Sequence, residues 1–140
     1  WRGVLDVNLD GVFRVGQEGA RRMVASGKGG SIVNIASIVG LGAIKTLSAY
    51  SASKAAVLAL TRNMALELAR DKIRVNAIAP GWFASEMTDA MWEDESSTGF
   101  VNRTCPMGRK GEAHEDEHEV GQDQQRRAHA PKAIMRFPRD

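Results

Sequence analysis

Residues 37–54, S-I-V-G-L-G-A-I-K-T-L-S-A-Y-S-A-S-K, place one serine after an apolar run and then, beyond a short glycine-containing loop, a tyrosine and a lysine four positions apart. At helical spacing Tyr50 and Lys54 share a face one turn apart, so the ammonium can sit close to whatever bonds the phenol oxygen. A free phenol has a pKa of about 10. A neighbouring positive charge favours the phenolate and makes the phenol a better proton donor near neutral pH. Lysine is a common residue, so the pair by itself decides nothing; its surroundings do.

Just upstream, residues 31–36, S-I-V-N-I-A, are short, β-branched and apolar without clean alternation, which predicts a strand buried on both faces of a parallel sheet, with Ser37 at its carboxyl end. Downstream, Ser48 is the expected N-cap of a helix running to about Arg70 that is apolar on most sides. Residues 72–79 predict a second buried strand, stopped by Pro80-Gly81. Strand, helix, strand is a βαβ unit, whose crossover makes the strands parallel. The helix then runs antiparallel to both strands. Its first turns, with Tyr50 and Lys54, begin near Ser37, and Pro80-Gly81 ends the second strand at the same edge. That carboxyl rim is where open α/β sheets bind their ligands. Before all this, Leu5, Leu9, Val12, Phe13, Gly16, Ala20 and Met23 trace one helical face over residues 4–24, closed by a glycine-rich loop at 25–30.

The chain has 140 residues, 43% of them hydrophobic, which suits one globular domain with a core. A formal net charge of +2, with basic and acidic residues interspersed, provides no basic stripe for nucleic acid. Cys105 is the single cysteine, which excludes an internal disulfide and fits a reducing compartment; no histidine accompanies it in a nucleophile pattern. No apolar run approaches the roughly 20 residues needed to span a bilayer, and the opening residues lack a basic-then-apolar signal pattern. The expected setting is the cytoplasm, away from membranes. The first residue is Trp1, and the expectation is a fragment or a processed product.

Four stretches, Asn8 within D-V-N-L-D-G-V-F, N-I-A-S-I-V-G with Ser37 and Gly40, Y-S-A-S-K, and R-V-N-A-I-A-P-G-W-F-A-S-E-M-T, resemble the short-chain dehydrogenase/reductase family over residues 1–112. The resemblance implies an α/β fold, a partial Rossmann-like doubly wound parallel sheet without its N-terminal βαβ units. It implies an oxidoreductase that interconverts a ketone and a secondary alcohol with NAD or NADP. Tyr50 would be the proton donor or acceptor, and Lys54 would lower its pKa and bond the nicotinamide ribose. Ser37 would hold the substrate oxygen, and Asn8 would order a water behind Lys54. Pro80, Gly81 and Ser85 would contact the carboxamide side of the nicotinamide. Within the family, the likeness to 3-oxoacyl reductases and to sugar-acid dehydrogenases is equal. Relatives pair two helices into oligomers, which implies a homo-oligomer through residues 4–24 and 48–70.

Bland alternatives stand beside several of these roles. Ser37 could be a hydroxyl that caps the strand end, Asn8 a polar residue on a helix face, and Asn76 a structural hydrogen-bonder rather than a ligand contact. Trp82, Phe83, Met87 and Trp92 suit either an apolar substrate pocket or plain packing, in a region where residues 89–93 and 99–103 look like small covering helices.

The departures from the family are specific. No G-x-x-x-G-x-G turn is present to cradle a pyrophosphate at a helix N-terminus, so the chain alone is expected to bind cofactor weakly or not at all. The likeness ends at Glu112. Residues 113–140 are polar and expected to be a disordered tail. His114 and His118 flank an acidic run there, with His129 further on, but the pattern is not H-E-x-x-H and no metal site is expected. Two functional readings result: the catalytic part of a short-chain dehydrogenase, or a non-catalytic remnant that pairs with another subunit through its two apolar helices.

Overall fold

A strand-helix-strand crossover organises the first of two units, Trp1–Gly81 and Trp82–Asp140, in a computed structural model that describes residues 1–86 and 88–111. Strand β1 (Gly30–Ile35) pairs in parallel with β2 (Ile73–Ile78), Gly30 opposite Ile73 and Ile35 opposite Ile78. The predicted α/β character and parallel pairing are both present. At the start of β1 the backbone of Gly29 is left-handed, and a Cβ there would lie 2.6 Å from Lys72 O. Glycine is therefore required twice over, by conformation and by close approach. The ladder runs from the Gly30 N–H on Lys72 O (3.2 Å) to the Ala36 N–H on Ile78 O (2.7 Å).

The helix expected over residues 4–24 is a continuous helical run in three parts: α1 (Arg2–Leu5), a π-helical segment (Asp6–Gly11) and α2 (Val12–Ser26). Gly27, left-handed at φ 66°, closes it, with its N–H on Val24 O. Helix α3 (Ser48–Glu67) joins the strands. Its N-cap position is held by Leu47, not by the predicted Ser48, because the Ser51 N–H already bonds Leu47 O (2.8 Å) and Ser48 thus lies inside the first turn. At the other end, residues assigned to the helix up to Arg70 form a 3-10 turn (Ala69–Asp71), which left-handed Lys72 terminates.

Met64 of α3 meets Ile73 and Val75 of β2 in the core, with Met23 of α2, Ile32 of β1, Leu60, Ala65 and Leu68 packed around them. Both helices thus cover one face of the sheet. This corrects the expectation of strands buried on both faces: burial alternates, and Val33 and Ile35 are each 52% exposed on the side opposite buried Asn34. Among the described residues both helices lie on one side of the two strands, and no other element covers the opposite face.

The second unit is closed by a bridge between Phe83 and Gly111, where the Gly111 N–H bonds Trp82 O (2.8 Å) and the Ala84 N–H bonds Gly111 O (3.1 Å). It holds the two expected short helices, α4 (Asp89–Trp92) and α5 (Glu95–Thr104), and Val101 of α5 is fully buried. Asp94 caps α5 by accepting from the Ser97 N–H. Met87, the tail at 113–140 and its three histidines lie outside the described residues. Among the described residues no helix is long and apolar enough to cross a membrane.

Candidate active site

The crossover brings α3 back so that its first turns meet the carboxyl ends of the strands. Ala36 is buried behind β1, and Ser37 follows with an extended backbone; its Oγ accepts from the Val39 N–H (3.4 Å) and opens the 3-10 turn Ile38–Gly40. The capping hydroxyl weighed as the bland reading of Ser37 is therefore present, in a geometry that keeps the residue at the rim. The Ile38 N–H donates to Pro80 O (3.1 Å), which ties the exit of β2 to the same turn. Gly40 sets how closely the turn approaches the helix: a Cβ there would lie 2.8–2.9 Å from the backbone of Lys54 and Ala55. Ser37, Tyr50, Lys54, Pro80 and Gly81 accordingly belong to one linked rim within the first unit.

Lys54 reaches back from α3 to β1. Its Nζ donates to Ile35 O (2.9 Å) and lies 5.6 Å from the centre of the Tyr50 ring, a distance at which a cation is attracted by the ring face. Partial burial pushes the Lys54 amine below its ordinary value, because desolvation disfavours the charged form. Tyr50 is half-buried.

Asn8 sits in the π-helical segment, a rare helical form that is concentrated at functional sites. Its Nδ2 donates to Ser53 Oγ (3.2 Å), and Ser53 Oγ in turn donates to Tyr50 O (2.7 Å). Ser53 has no exposed surface. This fourth residue of Y-S-A-S-K links Asn8 to the backbone of the tyrosine, and sequence reasoning gave it no role. A serine inside a helix commonly bonds a carbonyl three or four residues back, but nothing in the sequence singles this one out. Asn34 was likewise passed over. Its buried Nδ2 donates to Thr61 Oγ1 (2.9 Å), which donates to Val57 O (2.8 Å), joining β1 to the middle of α3. Asn76, expected to carry a structural bond, is exposed on the uncovered face of β2 instead. In a parallel register Asn76 stands opposite Val33, on the side away from the helices.

Ser85 belongs to the second unit. Its N–H donates to Thr88 Oγ1 (3.0 Å), which also accepts from Trp92 Nε1 (3.1 Å) and donates to Phe83 O (2.7 Å). Trp82 meets Phe100 edge-on at 6.1 Å, and Lys110 Nζ stands 5.1 Å from the Trp92 ring. These aromatic residues are thus engaged in packing within their own unit.

Residues 1–96 match the sequence profile of the family described as short chain dehydrogenase. The 5-keto-D-gluconate 5-reductase of Escherichia coli K12 is 44% identical over 115 residues, covering 82% of this chain and 45% of that protein. The 3-oxoacyl-[acyl-carrier-protein] reductase of Thermotoga maritima is 41% identical over 115 residues, covering 82% of this chain and 46% of that one. Among solved structures, a gluconate 5-dehydrogenase from Burkholderia cenocepacia J2315, in complex with NADP and tartrate, superposes with a TM-score of 0.77 at 40% identity, over 80% of this chain and 44% of its own. The chain spans a little under half the length of the curated relatives it matches.

Proposed function

Because this chain belongs to the short-chain dehydrogenase family, we propose that it carries the acid/base half of an NAD- or NADP-dependent oxidoreductase that interconverts a ketone and a secondary alcohol on a small molecule. The observation that supports this reading most directly is the linkage of Asn8, Ser53, Tyr50 and Lys54 between the π-helical segment and α3. A hydride cannot leave an alcohol carbon unless the hydroxyl proton is removed in step, so the reaction needs a tuned acid/base group. Tyr50 is that group. In the reducing direction its phenol gives a proton to the carbonyl oxygen, and in the oxidising direction its phenolate takes one from the alcohol. The Lys54 ammonium favours the phenolate. The Ser37 hydroxyl orients the substrate oxygen. Asn8, through Ser53, fixes the backbone from which Tyr50 projects.

Bound NAD or NADP would supply the hydride acceptor or donor. Within the first unit Tyr50, Lys54, Pro80 and Gly81 fit its nicotinamide and ribose end in chemistry, with an amine, a hydroxyl and a loop at the strand exit. No glycine-rich turn in the sequence fits its pyrophosphate. Titration of the isolated chain with NADH or NADPH is expected to give affinity weaker than micromolar. The exposed Val7, Val15 and Leu66 further favour pairing of the helices at 4–24 and 48–70 with another copy.

Replacing the matched region of the E. coli 5-keto-D-gluconate 5-reductase with residues 1–111 of this chain tests the catalytic reading. The chimera should reduce 5-keto-D-gluconate, and Tyr50→Phe should lower its kcat by on the order of 10²–10⁴ while leaving cofactor binding nearly intact. A folded but inactive chimera, or full activity in Tyr50→Phe, would refute it.

A further inference from the structure

Between Ser37 and Glu67 the sequence holds no acidic residue, and its charged groups are Lys45, Lys54 and Arg62. Lys54 is engaged, with its Nζ on Ile35 O and against the Tyr50 ring. Lys45 is exposed, and among the described residues its ammonium has neither an ion-pair nor a hydrogen-bond partner. The loop that carries it, residues 41–47, is fastened at both ends. The N–H groups of Leu41 and Gly42 donate to Ile38 O (3.0 and 3.1 Å). The Leu47 N–H donates to Ile44 O (3.4 Å), and Leu47 O accepts from the Ser51 N–H (2.8 Å). Lys45 is thereby held just before the helix that bears Tyr50. Two extended residues and one helical turn put its Cα no more than about 13 Å from that of Tyr50.

Two local costs mark the same stretch. Thr46, which is β-branched, has a left-handed backbone at φ 69°, a conformation such a residue rarely adopts. Directly after Tyr50, Ser51 Oγ is buried with no hydrogen-bond partner among the described residues, although buried hydroxyls are ordinarily bonded. Costs of this kind persist where binding rather than stability shapes the chain.

We propose that Lys45 is a specificity-determining residue that holds the carboxylate of a small keto or hydroxy acid while the carbonyl or hydroxyl of that acid meets Tyr50. This inference rests on the acid/base reading of Tyr50 given above and narrows its substrate class. A lysine ammonium presents three donors on a flexible stem and makes a charge-assisted bond to a carboxylate. A 3-oxoacyl thioester offers it no charge beside the ketone. The acid-free stretch with its one unengaged rim cation therefore separates two substrate classes to which the motifs alone are equally similar.

Titration of the full chain with sodium gluconate at constant ionic strength, followed by amide nuclear magnetic resonance shifts, tests the site. Saturating shifts are expected at residues 42–46, with none from sorbitol, which has a CH2OH group in place of the carboxylate. Inorganic phosphate at the same concentration should shift these amides less. Lys45→Met should weaken gluconate binding about tenfold, the equivalent of one charge-assisted hydrogen bond, and Lys45→Arg should retain it. In the chimera described above, Lys45→Met should lower kcat/KM for 5-keto-D-gluconate about tenfold relative to L-sorbose, its CH2OH counterpart, with the loss carried by KM. A lysine that only supports the loop would lower both substrates alike. No shift with gluconate, equal shifts from sorbitol or phosphate, unchanged gluconate binding in Lys45→Met, or an unchanged substrate ratio overturns the proposal. An inactive chimera together with the expected titration leaves the carboxylate site standing and removes the oxidoreductase reading.

Discussion

In Trp1–Gly81 the polar side chains bond across long stretches of chain: Asn8 to Ser53 over 45 residues, Asn34 to Thr61 over 27 and Lys54 to Ile35 over 19. In residues 82–111 the side-chain bonds stay local: Thr88 with Phe83, Ser85 and Trp92, and Asp94 with Ser96 and Ser97. A long loop must be closed before a long-range bond can form, and its entropy cost is recovered only if many such contacts form together. The first region is therefore expected to lose structure as one cooperative unit, and the second by local opening.

The largest effect that separates them is Ile73→Ala. Ile73 is 2% exposed in the core with Met64 and Val75, so its truncation should lower the unfolding free energy by ~2–5 kcal/mol in urea melts followed by circular dichroism. A change below ~1 kcal/mol would mean that this core does not organise the first region. Next comes Gly40→Ala, which forces a methyl group against the backbone of Lys54 and Ala55. A loss of ~1–3 kcal/mol is expected, together with altered Tyr50 fluorescence as α3 is pushed away from the Ser37 turn. A neutral outcome would show that the turn can retreat freely.

The smallest effect is at Asp94. Bonds from the Ser96 hydroxyl, and from the Ser97 N–H, pull its carboxyl down from 3.8 to about 2. A depressed carboxylate favours the folded helix end fully above its ordinary value, and that contribution fades as pH falls from about 4 through about 2. Exchange of the Ser97 amide should therefore accelerate over that window, beyond the trend of its neighbours. Asp94→Ala should accelerate it at all pH values and remove the extra step, leaving the melting of the first region unaltered. A global shift from this variant would erase the contrast between the two regions.

The strand-helix-strand unit was legible because its signals are local: a β-branched run, a long apolar helix and the Pro80-Gly81 stop. The convergence of Ser37, Tyr50, Lys54 and Pro80 followed from crossover geometry alone. The role of Ser53 was not legible, because its partner Asn8 lies on another helix and no pattern within Y-S-A-S-K announces it. Nor was the π-helical segment, since the residues from Asp6 to Gly11 keep the apolar spacing of an ordinary helix. The exposure of Val33 and Ile35 shows the limit of composition as a guide. Apolar character records what a strand tolerates on each face, and the neighbours present decide which face is covered.

Asn34 has a further consequence as a register key. Sliding β1 by one residue along β2 would turn Val33 or Ile35 toward Thr61 and carry the amide to the opposite face, leaving the threonine hydroxyl with its Val57 carbonyl and no amide donor. With two strands in the sheet among the described residues, where slippage meets few other obstacles, a single amide between strand and helix makes a misaligned pairing an incompletely bonded one.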